Sequence, residues 1–235
     1  MLVFAIALLL IAAVVELTLG ARLLLLARIT RGVPETYIGL SFFIDAFAQI
    51  AGAVAGKMDG TAYAVTMAFS IGLTLFSTGA LLVAVVRLFE QHRPWMMTVA
   101  RLLILGVLAA QCFVFVVYGA EWPERFIAGR WVNRSFSAVT LIWATYASLR
   151  ARRACLRQMR LGLSSPLDAA RFLLWAVASS AFLLVIVLLF ARDILGMPPA
   201  VTMVAHPLLA VTCVSAVWLT FFPPRWLERR LVTDS

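Results

Sequence analysis

The sequence predicts an all-α integral membrane protein, a seven-transmembrane helix bundle with its N-terminus outside and its C-terminus cytoplasmic. Three observations carry this. Of 235 residues, 63% are hydrophobic and only 13% charged, with a mean hydropathy of +0.99. Long apolar runs recur from end to end, each able to cross a hydrocarbon core about 30 Å thick. Between two of them lies RARRACLRQMR, residues 150–160, with five arginines. Moving arginine across a bilayer is costly, so this stretch stays on the cytoplasmic side and gives every other segment a side.

The elements follow in order. Span 1 is expected at about residues 2–27. It lacks a basic leader and runs too long for a signal peptide, so it reads as a retained helix. A short loop with Gly32 and Pro34 leads to span 2, about 35–56, and a tight turn over 57–60 leads to span 3, about 61–89. Span 4 is expected at about 95–119 and span 5 at about 126–149. The basic loop Arg150, Arg152, Arg153, Arg157 and Arg160 follows. Ser164-Ser-Pro-Leu-Asp168 is a helix start, opening span 6 at about 168–191. Span 7 covers about 200–222, where Pro223 and Pro224 end it. All seven form one membrane domain, leaving little chain for a soluble module.

Charge tests this topology. Fourteen of the 20 basic residues fall on inner ends and loops and four on outer ones, while Arg101 and Arg134 lie within spans. That bias fits the N-out, C-in orientation. The net charge of +9 is therefore expected to face anionic lipid at the inner leaflet of a bacterial inner (plasma) membrane, not nucleic acid. Trp95, Trp122, Trp131 and Trp226 lie near expected interfaces. Cys112, Cys155 and Cys213 form no CxxC pair, so no redox site is expected.

Ionisable groups inside a bilayer need a partner or a wet cavity. Counted from the inner ends of their helices at roughly 1.5 Å per residue, Glu16, Asp45 and Arg101 sit at similar depth. They are expected to form an inner polar cluster, with Gln49 one turn from Asp45. A locking ion pair and a proton-sensitive switch both fit that cluster. Nearer the outside, His206, Gln111, Asn133 and Arg134 are candidates for an outward-facing ligand pocket; interhelical hydrogen bonding with a snorkelling Arg134 is the plainer reading. Pro207 follows His206 and lacks a backbone donor, so span 7 is expected to bend there as a hinge. Small and polar residues share helix faces at Asp45, Gln49, Gly52 and Gly56, at Thr66, Ser70, Thr74 and Ser77, at Asn133, Ser137, Thr140 and Ala144, and at Thr202, His206, Ala210 and Cys213.

Several chemistries find no residues. The lone Lys57 is in a turn, where it cannot hold retinal. His92 and His206, at opposite sides, cannot bracket a haem, and one intramembrane histidine is too few for a zinc hydrolase. The chain is expected to be no enzyme and to carry no cofactor or metal.

Two stretches resemble known proteins. LGARLLLLARITRGVPE, residues 19–35, resembles a segment of small bacterial seven-helix proteins. FFPPRWLERR, residues 221–230, resembles the last-helix ending of the membrane sensor modules of bacterial signalling proteins, which often precede kinase or cyclase domains. The resemblance implies a receptor-like or accessory sensing protein. With no output domain expected before Ser235, it would signal through a separate cytoplasmic or membrane partner. A small proton-coupled transporter using Glu16 and Asp45 is the second reading, and a structural subunit of a larger membrane complex the third.

Overall fold

A computed structural model describes residues 2–117, 122–197 and 199–224; the side chains of residues 2–9, 122–126, 199, 200, 202–204, 206 and 207 are not described. The described residues form seven helices: α1 (Leu2–Thr30), α2 (Val33–Ala55), α3 (Gly60–Phe89), α4 (Pro94–Val117), α5 (Trp122–Met159), α6 (Pro166–Leu195) and α7 (Pro199–Phe221). Five contain stretches long and apolar enough to cross a membrane: Leu10–Thr30, Val33–Ala55, Gly60–Phe89, Pro94–Val117 and Pro166–Leu195. The chain is thus an α-helical membrane protein by length and composition. It divides into two compact units, Met1–Thr140 and Leu141–Ser235.

In the first unit, consecutive helices pack as neighbours, α1 on α2, α2 on α3 and α3 on α4. Two helices, α1 and α2, approach closely at two glycines. A Cβ on Gly20 would lie 2.8 Å from the Phe43 nitrogen and 2.9 Å from the Gly39 carbonyl oxygen; one on Gly39 would lie 3.0 Å from the Leu24 nitrogen. Only glycine lets the two backbones touch here, which is how membrane helices gain packing where lipid offers no hydrophobic drive. The α1–α2 turn is tight: Arg31 takes φ 53°, and the Gly32 nitrogen donates to the Thr30 hydroxyl at 3.2 Å.

Gly52 of the Gly52–Gly56 pair faces α3, where a Cβ would meet Ser70 Oγ at 3.1 Å. Gly56 caps the helix end and is exposed. Leu19, Leu23, Ile38 and Leu82 are the large side chains most completely enclosed in this unit.

In the second unit, α6 packs on α7, with Trp175 edge-on to Phe221 at 5.9 Å. Ser165 caps α6 by accepting from the Asp168 nitrogen at 3.2 Å, Pro166 occupies the first turn, and Arg171 pairs with Asp168 at 3.7 Å. The helix ends at Gly196, whose φ of 64° is the left-handed conformation glycine adopts freely.

The basic stretch differs from expectation. It continues α5 as helix through Met159, and only Arg160 lies in the turn. Nothing in RARRACLRQM breaks a helix: Ala, Arg, Leu, Gln and Met are all good helix formers, and charge ends a membrane span without ending the helix. Cys155, buried on this extension, contacts Ser164 Oγ at 2.8 Å across the following turn.

Candidate functional site

The polar residues of the first unit gather on two faces of α3. On the α2 face, Ser77 Oγ donates to the Ser41 carbonyl at 3.0 Å and lies 3.2 Å from the Ser41 hydroxyl. Two turns back, Ser70 Oγ donates to the Ala48 carbonyl at 2.8 Å. These bonds hold α2 so that Asp45 and Gln49, one turn apart, face α1. The Gly20–Gly39 contact brings α1 close enough for Glu16 to meet them.

The result is a shared amide. Gln49 Nε2 donates to Glu16 Oε2 at 2.8 Å and to Asp45 Oδ2 at 3.0 Å. Both protons of one NH₂ group are thereby used on two carboxylates. Glu16 is buried at 8% exposure, while Asp45 and Gln49 are half-buried. Among the described residues, no arginine or lysine meets either carboxylate.

Arg101 was expected in this cluster, and the structure leaves it out. It is exposed on α4. Ala100 and Gln111, eleven residues apart and so nearly eclipsed on a helix, are the buried residues of that element. Arg101 is turned about 100° from that face. Equal depth gave its height in the bilayer but not its direction around the helix.

The opposite face of α3 meets α5. Asn133 Nδ2 donates to the Ile71 carbonyl at 3.3 Å, and Thr78 Oγ1 lies 3.1 Å from Ser137 Oγ. Ser70 and Ile71, and again Ser77 and Thr78, are sequence neighbours that serve opposite faces. Gln111 reaches the same region from α4. Its amide nitrogen lies where a Cβ on Gly129 would be 2.5 Å away. Gln111 and Asn133 are each only 6% exposed. Neither end of the Gln111 amide, nor Asn133 Oδ1, has a hydrogen-bond partner among the described residues, and buried Thr140 Oγ1 is likewise unmatched. Buried polar groups are nearly always satisfied, so these four atoms stand out.

The other residues expected at the pocket are Arg134 and His206, with Pro207 as the hinge. Arg134 is half-buried and already engaged by a neighbour. α7 continues as helix through positions 206 and 207, but the side chains of His206 and Pro207 lie outside the described residues. So do Arg225, Trp226, Arg229 and Arg230, and the side chain of Trp122. Of the basic extension, Arg153, Arg157 and Arg160 are exposed, Arg152 is half-buried, and Arg150 is exposed but engaged.

Sequence reasoning missed Ser41, Thr78, Gly20, Gly39 and Gly129. The glycines left a signal, since an isolated glycine inside an apolar helix usually marks a close neighbour. Ser41 left none beyond its polarity. No family model matches the chain, and no curated protein and no solved structure matches it either.

Proposed function

We propose that the chain is a seven-span protein of a bacterial inner membrane, N-terminus outside and C-terminus cytoplasmic, that carries a small solute in step with a proton or small cation held at Glu16, Gln49 and Asp45. One observation supports this above the others: two carboxylates within the spans share a single amide and lack a basic partner among the described residues. A structural ion pair would place a cation beside them. Two acids around one neutral donor instead leave room for a mobile positive charge, the arrangement on which proton and ion pathways are built.

Gln49 is the adjustable part. With its NH₂ toward the carboxylates it bridges α1 and α2. A half-turn of the terminal amide presents Oε1 instead, an acceptor for a protonated carboxyl or a ligand for a cation. Occupancy is thereby coupled to the α1–α2 interface, whose backbones touch at Gly20 and Gly39. The test is proton movement in proteoliposomes carrying an internal pH dye. Under an imposed solute gradient the wild type should move protons, and Asp45→Asn should fall to the rate of empty liposomes. Equal rates for the two proteins would rule out Asp45 as the coupling group.

One observation favours a second reading, a sensing protein with a cytoplasmic partner. The arginine-rich extension of α5 stands as helix, and Leu161 and Leu163 at its tip are 72% and 73% exposed. Stable co-purification of a partner chain, lost on Arg153→Glu with Arg157→Glu, would support that reading over the carrier.

A further inference from the structure

We propose that Gln111 and Asn133 form a binding site for a small neutral amide, a carboxamide or a urea. The argument begins with what is unmatched. Gln111 offers an unused NH₂ and an unused carbonyl on one planar group, and Asn133 offers an unused carbonyl. Both side chains are 94% withdrawn from solvent by their 6% exposure. Gly129 and Asn133 are one turn apart on α5, so Asn133 lies on the order of 6 Å along the helix from the Gln111 amide.

A carboxamide fits this set. Its carbonyl accepts from Gln111 Nε2, one N–H donates to Gln111 Oε1, and the second N–H points on toward Asn133 Oδ1. The first two bonds form the closed amide pair that two planar amides make side by side. A carboxylate of the same shape has no N–H for either carbonyl, and it would carry its charge into a buried site. The site therefore distinguishes neutral from charged molecules of equal size.

The rest of the neighbourhood is already spoken for. Asn133 Nδ2 is committed to Ile71, Ser137 to Thr78, and Arg130 and Arg134 are engaged. Gly129 supplies the space in which the Gln111 amide lies. The glycine is thus a positioning residue: its missing side chain makes room for the Gln111 Nε2 end of the amide against α5. The site names the solute class of the proposed carrier and rests on that reading only for transport, not for binding.

The test uses the whole protein in nanodiscs, with acetamide and urea as probes and acetate as the charged isostere of acetamide. Saturation-transfer NMR reads binding, and thermal melting reads stability. Acetamide should bind saturably, on the order of millimolar for so small a molecule, and acetate should not. Gln111→Leu should weaken acetamide binding about tenfold or more, since a site built for hydrogen bonds discriminates strongly by them. The unliganded Tm of that variant should stay level or rise, because an apolar side chain of similar size removes unmatched buried groups. Gly129→Ala, which keeps every polar group and only displaces the amide, should weaken binding as well.

Equal binding of acetate, no saturable binding of acetamide or urea, or unchanged binding in Gln111→Leu would overturn the proposal. A clear fall in the Tm of unliganded Gln111→Leu would also overturn it, by identifying the amide as anchored to ordered water for structure alone. Asp45→Asn separates this proposal from the carrier reading. Acetamide binding without proton movement in the wild type leaves the site standing and removes the coupling. Proton movement without acetamide binding does the reverse.

Discussion

The two faces of α3 carry opposite solutions to the same problem. On the α2 side the polar groups are acidic and hydrogen-bonded: Gln49 donates to both Glu16 and Asp45, and Ser77 and Ser70 bind α2 backbone. Toward α4 and α5 three neutral side chains are left incomplete: among the described residues, the Gln111 amide, Asn133 Oδ1 and Thr140 Oγ1 have no hydrogen-bond partner. Membrane interiors penalise an unmatched polar group, so a complete network reads as a device that holds state and an incomplete one as a place for something to arrive. Because Ser70–Ile71 and Ser77–Thr78 place the two faces one residue apart, a shift of α3 reaches both.

The largest effect that would break this comparison is at the matched face. Asp45→Asn and Glu16→Gln should each bring coupled proton movement to the empty-liposome baseline, read by an internal pH dye. If Glu16→Gln alone retained coupling, the pair would reduce to a single working acid.

Gly20→Leu comes next. It drives a side chain into the α2 backbone, and overpacking of this kind costs about 1–3 kcal/mol or more. The melting temperature should drop and coupling should weaken with it, while Gly72→Leu, where nothing lies within 4 Å, should leave the melt unchanged. Gln49→Leu should cost about 1.5–3 kcal/mol, as expected for hydrogen bonds to charged groups.

At the incomplete face the sign reverses. Gln111→Leu should be neutral or stabilising by thermal melt, in contrast to Gln49→Leu, although both remove a glutamine amide from a helix interface. That contrast sharpens the comparison most. Ser77→Ala should be the mildest, costing about 1 kcal/mol for a neutral hydrogen bond and shifting, without abolishing, proton coupling.

Much of the helical layout was legible because its cause is local. Apolar runs, a Ser-Pro start at Ser165 and glycine or proline at the ends delimit helices without reference to the rest of the chain. The end of α5 was not legible: charge marks where a span leaves lipid, while helix formation depends on backbone propensity, which the arginine stretch favours. For the site, Asp45 and Gln49 share a face by spacing alone, and Glu16 drew attention as an acid in an apolar run. Arg101 shows the limit of such counting, since distance along an axis carries no angle. Gly129 shows another, because its role is defined by the Gln111 amide across the interface and not by its own neighbours in sequence.

The most direct measurement of the central claim is a pH-difference infrared spectrum of the protein in lipid, read in the carboxyl carbonyl region. The account predicts a protonated-carboxyl band that Asp45→Asn removes and Gln49→Leu displaces in frequency, because the shared amide hydrogen-bonds the group that takes up the proton. A spectrum with no such band across the physiological range, or a band indifferent to both substitutions, would contradict a proton held between Glu16 and Asp45.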